Sequence, residues 1–240
     1  MFSIITFFRI LGIIIVTIPF SLLALFSMVI EKKGTLYFWS GTQWAKTILC
    51  ICNISVKIYN TENIPTESNY IIVSNHSSLF DIPIIMSIFP NVRIMFKKEL
   101  SYIPIWGWSI RWGHHIMIDR KKGSEAKKSL ERATSDIQKG GVVLLFAEGT
   151  RTPDGKLQPF KRGAFSLAAK SAVPILPVTI NGSFSILPKG SFAINPQKIE
   201  VHIAQAISTT DKKTREDEIS LMKQTEEHIR FYHKEHNVKV

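Results

Sequence analysis

The sequence is short of cysteine, of acidic charge and of the turn that marks common serine hydrolases. Its 240 residues hold two cysteines, Cys50 and Cys52, and neither has further Cys or His partners at zinc-ligand spacing. We therefore expect two buried thiols, no metal site and no need for an oxidising compartment. No Gly-x-Ser-x-Gly elbow is present, which argues against a serine hydrolase.

Acidic residues are outnumbered, because 30 Lys and Arg face 19 Asp and Glu and give a formal net charge of +11. Such a chain is drawn to phosphate groups and to an anionic membrane surface. The basic residues are scattered and form no arginine stripe interleaved with aromatics, so we expect no nucleic-acid partner.

Charge is also missing from the N-terminal run Ile10 to Ile30, which lies between Arg9 and Glu31. The run is long enough to cross a hydrocarbon core of about 30 Å, and it lacks an Ala-x-Ala cleavage pattern. The next stretch, Leu36 to Ile54, is apolar with aromatic residues favoured at membrane interfaces. One spanning helix and a helix pair lying in one leaflet both fit this pattern, and a buried core helix is the alternative.

We divide the chain into an N-terminal membrane-associated helical segment, 1–54, and a main domain, 55–240. In residues 55–240, predicted strands alternate with helix-like segments, and this pattern predicts a single α/β domain with a mixed, largely parallel sheet flanked by helices. Residues Ser124 to Lys139 carry apolar side chains at helical spacing. Predicted strands are Ser55 to Tyr59, Tyr70 to Ser74, Val92 to Phe96, His115 to Ile118, Val142 to Phe146, Ile175 to Ile180 and Ile199 to Ala204.

A histidine and an aspartate, His76 and Asp81, follow the second of these strands and precede a helix-like stretch. In a turn and a first helical turn their side chains can touch, and such a pair can act as a general base held in one tautomer. His114 and Asp119 have the same spacing, but within a strand they fall on opposite faces about 16 Å apart. An ordinary loop histidine with Asp81 as a helix cap is the alternative interpretation.

A second polar group follows the strand Val142 to Phe146, at the end of a parallel strand where α/β proteins bind ligands. It contains Glu148, Gly149, Thr150 and Arg151. Arg151 offers a planar fork for two phosphate oxygens, and Gly149 lets backbone amides approach an anion. A surface turn with a Glu–Arg ion pair is the alternative.

Five motifs in this order resemble the glycerolipid acyltransferase family, and most closely its lysophosphatidic acid acyltransferases. The motifs are Asn75-His76-x4-Asp81, Lys97-Lys98-Glu99-Leu100 with Ile103-Pro104, Ile118-Asp119-Arg120, Phe146-x-Glu148-Gly149-Thr150-Arg151 and Val173-Pro174-Ile175-Leu176-Pro177-Val178. Ala147 departs from the proline that many members carry, and it affects turn geometry rather than chemistry.

The resemblance implies transfer of a fatty acyl group from acyl-CoA or acyl carrier protein to lysophosphatidic acid, with no cofactor beyond the acyl-donor substrate. His76 is then the general base and Asp81 orients it. Arg151 and one of Lys97 or Lys98, with Lys97 preferred, hold the acceptor phosphate, and Glu148, Gly149 and Thr150 line the acceptor site. A cytosolic thioester donor favours a membrane-associated enzyme whose catalytic domain faces the cytoplasm.

Two other functions stay open at this point. The same chemistry could act on glycerol-3-phosphate or another lysophospholipid, and a catalytically silent membrane-binding protein could keep the fold. The sequence retains His76, Asp81 and Arg151, which a silent relative is expected to lose. Segment 173–178 either shapes an acyl pocket or only begins a strand.

Overall fold

The fold is built on one seven-stranded sheet within residues 3–66, 69–118, 133–135, 137–138 and 141–234, the parts that this computed structural model describes. The strands are β1 (Ser55–Tyr59), β2 (Tyr70–Ser74), β3 (Val92–Lys97), β4 (Ile116–Ile118), β5 (Val142–Phe146), β6 (Ile175–Asn181) and β7 (Lys198–Ile203). Their order across the sheet is β1-β7-β6-β2-β5-β3-β4. Neighbours are parallel except β6 and β7, which are antiparallel. The predicted mixed, largely parallel sheet is confirmed.

Helices lie before the sheet and on both of its faces. The α-helices are α1 (Ile4–Ile30), α2 (Thr35–Ile51), α3 (Asp81–Ile88), α4 (Trp106–Trp112), α5 (Gly163–Ser171), α6 (Ser183–Ile186) and α7 (Arg215–Tyr232). Short 3₁₀ helices cover Thr61–Asn63 and Lys98–Tyr102. β2 divides the core, because Tyr70 and Ile72 join one apolar cluster while Ile71 and Val73 join the other.

Helix α1 presents its large apolar side chains to the outside and its small ones to the protein. Ser21, Ala24 and Ser27 are buried, whereas Ile18 and Phe26 are exposed. Only 17% of its most apolar 18-residue window is buried, so the alternative of a buried core helix is wrong. At 27 residues the helix is about 40 Å long, which is enough to cross a bilayer by length and composition.

α1 is also tied to the rest of the chain. The indole Nε1 of Trp44 in α2 donates to Oγ1 of Thr17 at 2.9 Å. The guanidinium of Arg9 donates to the carbonyl of Ile194 at 2.8 Å, and Ile13 packs against the first apolar cluster. The N-terminal segment is therefore part of the folded structure. The boundary between 54 and 55 stays a prediction, although β1 begins at Ser55.

Several details of the sequence prediction need correction. Cys52 is buried but Cys50 is exposed, so only one of the two thiols is a core residue. β4 starts at Ile116 rather than His115, because the imidazole Nδ1 of His115 accepts the N–H of Ile94. Most of the helix predicted over 124–139 lies outside the described residues; 133–135 and 137–138 are helical.

Candidate active site

The carboxyl ends of β2 and β5 meet at one edge of the sheet, because Ser74 stands opposite Phe146 in a parallel register. His76 lies two residues beyond β2, and Glu148 lies two residues beyond β5. The N–H of Ala147 donates to the carbonyl of Ser74 at 3.1 Å and extends the pairing past the strands. The register therefore places the first and second polar groups of the sequence side by side.

His76 and Asp81 are in direct contact, with 2.8 Å between Nδ1 and Oδ2. The same carboxylate oxygen accepts the N–H groups of Ser77 at 2.7 Å and Ser78 at 2.8 Å. Asp81 is 0% exposed and the side chain of His76 is 14% exposed. A buried carboxylate facing Nδ1 favours the tautomer with the proton on Nδ1, which leaves Nε2 able to accept one.

Asp81 does not act merely as a helix cap. It is the first residue of α3, and Phe80 occupies the cap position without a side-chain hydrogen bond. The carboxylate turns back toward the residues that precede the helix. Ser77 and Ser78 hold this turn through their backbone N–H groups, and the hydroxyl of Ser78 donates to the carbonyl of Leu187 at 3.4 Å.

Glu148 holds the two polar groups together from a buried position. Its Oε1 accepts the backbone N–H of His76 at 2.6 Å, and its Oε2 accepts the N–H of Gln158 at 2.8 Å. Burial raises the pKa of Glu148 to about 7; the two N–H donors act in the opposite direction, and the nearby negative charge of Asp81 adds to the rise. These contacts differ from those of an exposed Glu–Arg ion pair.

The loop after Glu148 also grips the backbone of His76. The N–H of Thr152 donates to the carbonyl of His76 at 2.9 Å. Thr150 is exposed and Arg151 is half-buried on the same loop. The arrangement leaves the hydroxyl and the guanidinium accessible beside the His76 loop.

Three cations lie at or near this edge of the sheet. Lys97 ends β3, one residue later than predicted, so it belongs to the strand rather than following it. Its side chain is 54% exposed, and its ammonium pairs with Glu99 at 3.2 Å. Arg151 is the second cation. The third is Lys161, which the sequence prediction missed; its Nζ lies 3.2 Å from the position that a Cβ on Gly149 would occupy.

The backbone of Gly149 explains why this position is glycine. Its φ is +71°, in the left-handed region, and a side chain there would also press on Lys161. The turn therefore keeps an open face beside an ammonium group. The adjacent basic pair Lys161-Arg162 was the signal in the sequence that could have drawn attention to this site.

His114, the histidine of the second His–Asp pair, packs against aromatic rings of α2. The ring of His114 lies 5.2 Å from that of Tyr37, between α2 and the start of β4. Burial lowers the pKa of the neighbouring His115 to about 3, with the charges of His114 and Arg93 as smaller causes. Asp119, predicted to lie on the other face of the strand, is outside the described residues.

An apolar cavity of about 90 Å³ lies between α1, α2, α3, β3 and α4. Ile82 and Met86 of α3 line it, and Ile82 directly follows Asp81. Residues 173–178, predicted either to shape an acyl pocket or to begin a strand, do not line this cavity; from Ile175 they form the buried strand β6. In the part of the chain that the structure describes, no group of three or more His, Cys, Asp or Glu side chains could hold a metal ion.

Comparison with known proteins places this geometry in context. The model of a family described as Acyltransferase matches residues 55–181. A 1-acyl-sn-glycerol-3-phosphate acyltransferase of Limnanthes douglasii is 35% identical over 182 residues, 75% of this chain and 63% of the relative. One of Pseudomonas aeruginosa is 34% identical over 158 residues, 65% of this chain and 61% of the relative. A chloroplastic one of Brassica napus is 36% identical over 138 residues, 57% of this chain and 40% of the relative.

The matched region therefore spans less than two thirds of the length of each of these relatives. A solved structure agrees over more of its length. The crystal structure of PlsC, the 1-acyl-sn-glycerophosphate acyltransferase of Thermotoga maritima, superposes with a TM-score of 0.82 and 28% sequence identity. The match covers 95% of this chain and 92% of that one.

Proposed function

The chain belongs to the acyltransferase family, and we propose that it transfers a fatty acyl group from a thioester to the sn-2 hydroxyl of lysophosphatidic acid. The product is phosphatidic acid. The contact between His76 and Asp81 carries the proposal, because it orients the imidazole and leaves Nε2 available at the carboxyl edge of the sheet, where α/β folds bind ligands. The names of the relatives support the choice of acceptor.

His76 takes the proton from the acceptor hydroxyl as its oxygen attacks the thioester carbonyl carbon. Asp81 holds the imidazole through Nδ1 and stabilises the imidazolium that forms. The carbon–sulfur bond then breaks, and the leaving thiolate takes the proton from Nε2. Atoms and charges balance without a covalent acyl-enzyme.

The acceptor phosphate is held by cations beside the Glu148–Arg151 loop. Arg151 supplies a bidentate fork, and the exposed ammonium groups of Lys97 and Lys161 add charge at the same edge. Gly149 and Thr150 line this site. Glu148 acts by positioning the loops, because both of its oxygens are occupied by backbone N–H groups.

The apolar cavity lined by Ile82, the neighbour of Asp81, is where the acyl chain begins to insert between the helices. Its walls include Phe20, Phe38 and Trp44, and α1 and α2 supply part of them. A chain in this cavity would leave the carboxyl end near the first turn of α3. Burial of the chain provides binding energy of about 0.8 kcal/mol per methylene group.

The membrane is the source of the acceptor. α1 exposes large apolar side chains that suit a lipid environment, and the net charge of +11 suits an anionic surface. We place the catalytic domain on the cytoplasmic side, where acyl-CoA and acyl carrier protein carry the thioesters.

Acyl transfer by the purified, detergent-solubilised protein tests the proposal. Wild type, His76→Ala and the control His114→Ala receive oleoyl-CoA or oleoyl-acyl carrier protein, with lysophosphatidic acid as acceptor. Glycerol-3-phosphate and lysophosphatidylglycerol serve as parallel acceptors. We expect phosphatidic acid from wild type and His114→Ala and almost none from His76→Ala.

Three results would contradict the proposal. Substantial turnover by a folded His76→Ala protein would remove the general base. Preference for an acceptor without a terminal phosphomonoester would reassign the substrate, and inactivity with every donor and acceptor would favour a catalytically silent membrane-binding protein.

A further inference from the structure

The phenyl ring of Phe146 lies flat against the imidazole of His76. The ring centroids are 3.8 Å apart and the planes differ by 9°. Phe146 is the last residue of β5, and it stands opposite Ser74, two residues before His76. The stacking is thus a consequence of the strand register at the edge of the sheet that carries the site.

The ring of Phe146 is itself anchored. It is half-buried and packs against the apolar cluster that contains Ile72 and Leu144. The backbone of both residues is also held in place. Phe146 pairs with β2 in the sheet, and the N–H of His76 donates to Glu148. A ring held in this way can restrain another ring that touches it.

The hydrogen bond to Asp81 does not by itself fix the imidazole. It fixes the distance and direction of Nδ1, but one hydrogen bond tolerates a twist of the ring about the Cβ–Cγ bond, and that rotation turns the lone pair of Nε2 away from the acceptor. A flat ring in van der Waals contact with one face blocks that rotation. Proton transfer needs Nε2 within hydrogen-bond distance of the acceptor hydroxyl, so the plane of the imidazole matters as much as its tautomer.

We propose that Phe146 is a positioning residue for His76: its ring fixes the plane of the imidazole and gives the imidazolium an aromatic face to lie on. A phenyl face within about 6 Å attracts a cation, so the contact strengthens as His76 takes the proton. The inference rests on the proposed role of His76 as the general base. It assigns to Phe146 an effect on turnover rather than on acceptor binding.

The same ring also fills space in the core, and the experiment has to separate the two effects. Phe146→Leu removes the flat face and keeps most of the apolar volume, whereas Phe146→Tyr keeps the face. Phe165→Leu is the matched control, because Phe165 stacks on Phe160 at 6.4 Å in the other apolar cluster and is fully buried. The Phe165→Leu substitution weakens the packing of the core and leaves the contacts of His76 unchanged.

Each protein is measured for kcat and KM with lysophosphatidic acid, for Tm, and for the ¹³Cε1–¹H signal of His76 in detergent. The His76 signal is assigned from its absence in His76→Gln. A stacked phenyl ring shifts the His76 proton upfield. In Phe146→Leu we expect the upfield shift to disappear, kcat to fall about tenfold and KM to stay within about twofold of wild type. Phe146→Tyr should keep the upfield shift and the kcat of wild type.

Different results overturn different statements. If Phe146→Leu loses the upfield shift and keeps the kcat of wild type, the positioning role is wrong. It is also wrong if Phe165→Leu loses as much kcat for the same loss of Tm. A wild type that shows the upfield shift but no turnover with any acceptor overturns the proposed function, and with it the role of Phe146 in turnover.

Discussion

The backbone N–H of His76 donates a 2.6 Å hydrogen bond to Oε1 of Glu148. The two residues are 72 positions apart in the chain and belong to the two most informative motifs of the sequence. The bond joins the loop after β2 to the loop after β5. It makes the position of His76, the proposed general base, depend on Glu148, which is itself buried.

Replacing Glu148 by Gln should therefore impair catalysis without touching any substrate-binding cation. An amide offers one oxygen acceptor, so either the N–H of His76 or that of Gln158 loses its partner, at a cost of about 1–3 kcal/mol. We expect kcat to fall at least about tenfold, together with a lower Tm. Exposed Glu227→Gln is the control. Glu148→Ala removes both acceptors, and wild-type kcat in a folded Glu148→Ala protein would show that the bond does not set the position of His76.

The same residue should make stability depend on pH. The pKa of Glu148 is raised from 4.5 to about 7, so the folded state binds the proton more tightly than the unfolded state. This tighter proton binding stabilises the folded state by about 3 kcal/mol. The stabilisation is complete below the pKa of the unfolded state and is lost as pH rises through about 7. Thermal unfolding at about pH 5 and about pH 8 should show a larger fall in wild type than in Glu148→Gln.

Sequence reasoning was effective where the signal is local. Continuous apolar runs identified β2 and β5, because strands covered on both faces need apolar residues at every position. The contact of His76 with Asp81 follows from a turn and one helical turn. The stacking of Phe146, the backbone bonds of Glu148 and the approach of Lys161 to Gly149 depend on the order of the strands and on a loop path, which spacing along the chain does not encode.

Asp81→Asn should test the charge that Asp81 places beside the imidazole. Oδ2 of Asp81 accepts from His76 and from two backbone N–H groups. An amide whose oxygen takes the place of Oδ2 can keep these three hydrogen bonds, but it carries no negative charge and no longer stabilises the imidazolium that forms on His76. We expect kcat to fall about 10²- to 10⁴-fold with the fold retained.

Two aspartates provide the comparison for Asp81→Asn. Asp217 forms a capping box with Thr214 at the start of α7, so Asp217→Asn should lower Tm and leave kcat unchanged. Asp119→Asn should have comparatively little effect, because the strand pattern predicts that it faces away from His114. A loss with Asp119→Asn equal to that of Asp81→Asn would contradict the assignment of the site.

The cations that we propose hold the acceptor phosphate should affect KM more than kcat. Arg151→Ala and Lys161→Ala each remove a charge beside the Gly149 turn, and we expect the KM for lysophosphatidic acid to rise about tenfold or more. Lys161→Arg should restore most of the affinity. Lys223→Ala, on the exposed surface of α7, is the control, and an unchanged KM in Arg151→Ala would move the phosphate to another site.

Membrane association is best tested by changes to the outer face of α1. Deleting residues 1–30 would also remove the bond from Arg9 to Ile194 and the packing of Ile13, so lost activity could reflect a damaged core. A deletion that left folding, vesicle binding and activity intact would nevertheless contradict the anchor. Substitution of exposed side chains keeps the inner contacts and gives the cleaner experiment.

We expect Ile18→Asp combined with Phe26→Asp to lower binding to anionic vesicles by at least about tenfold. Both side chains are exposed on α1, and a carboxylate in the apolar region of a bilayer costs about 2.5–3.5 kcal/mol. Activity on lysophosphatidic acid in detergent should stay near that of wild type, because the site is untouched. Phe231→Asp, on a ring that is 81% exposed at the end of α7, is the control, since equal losses from both proteins would mean that α1 is not the specific anchor.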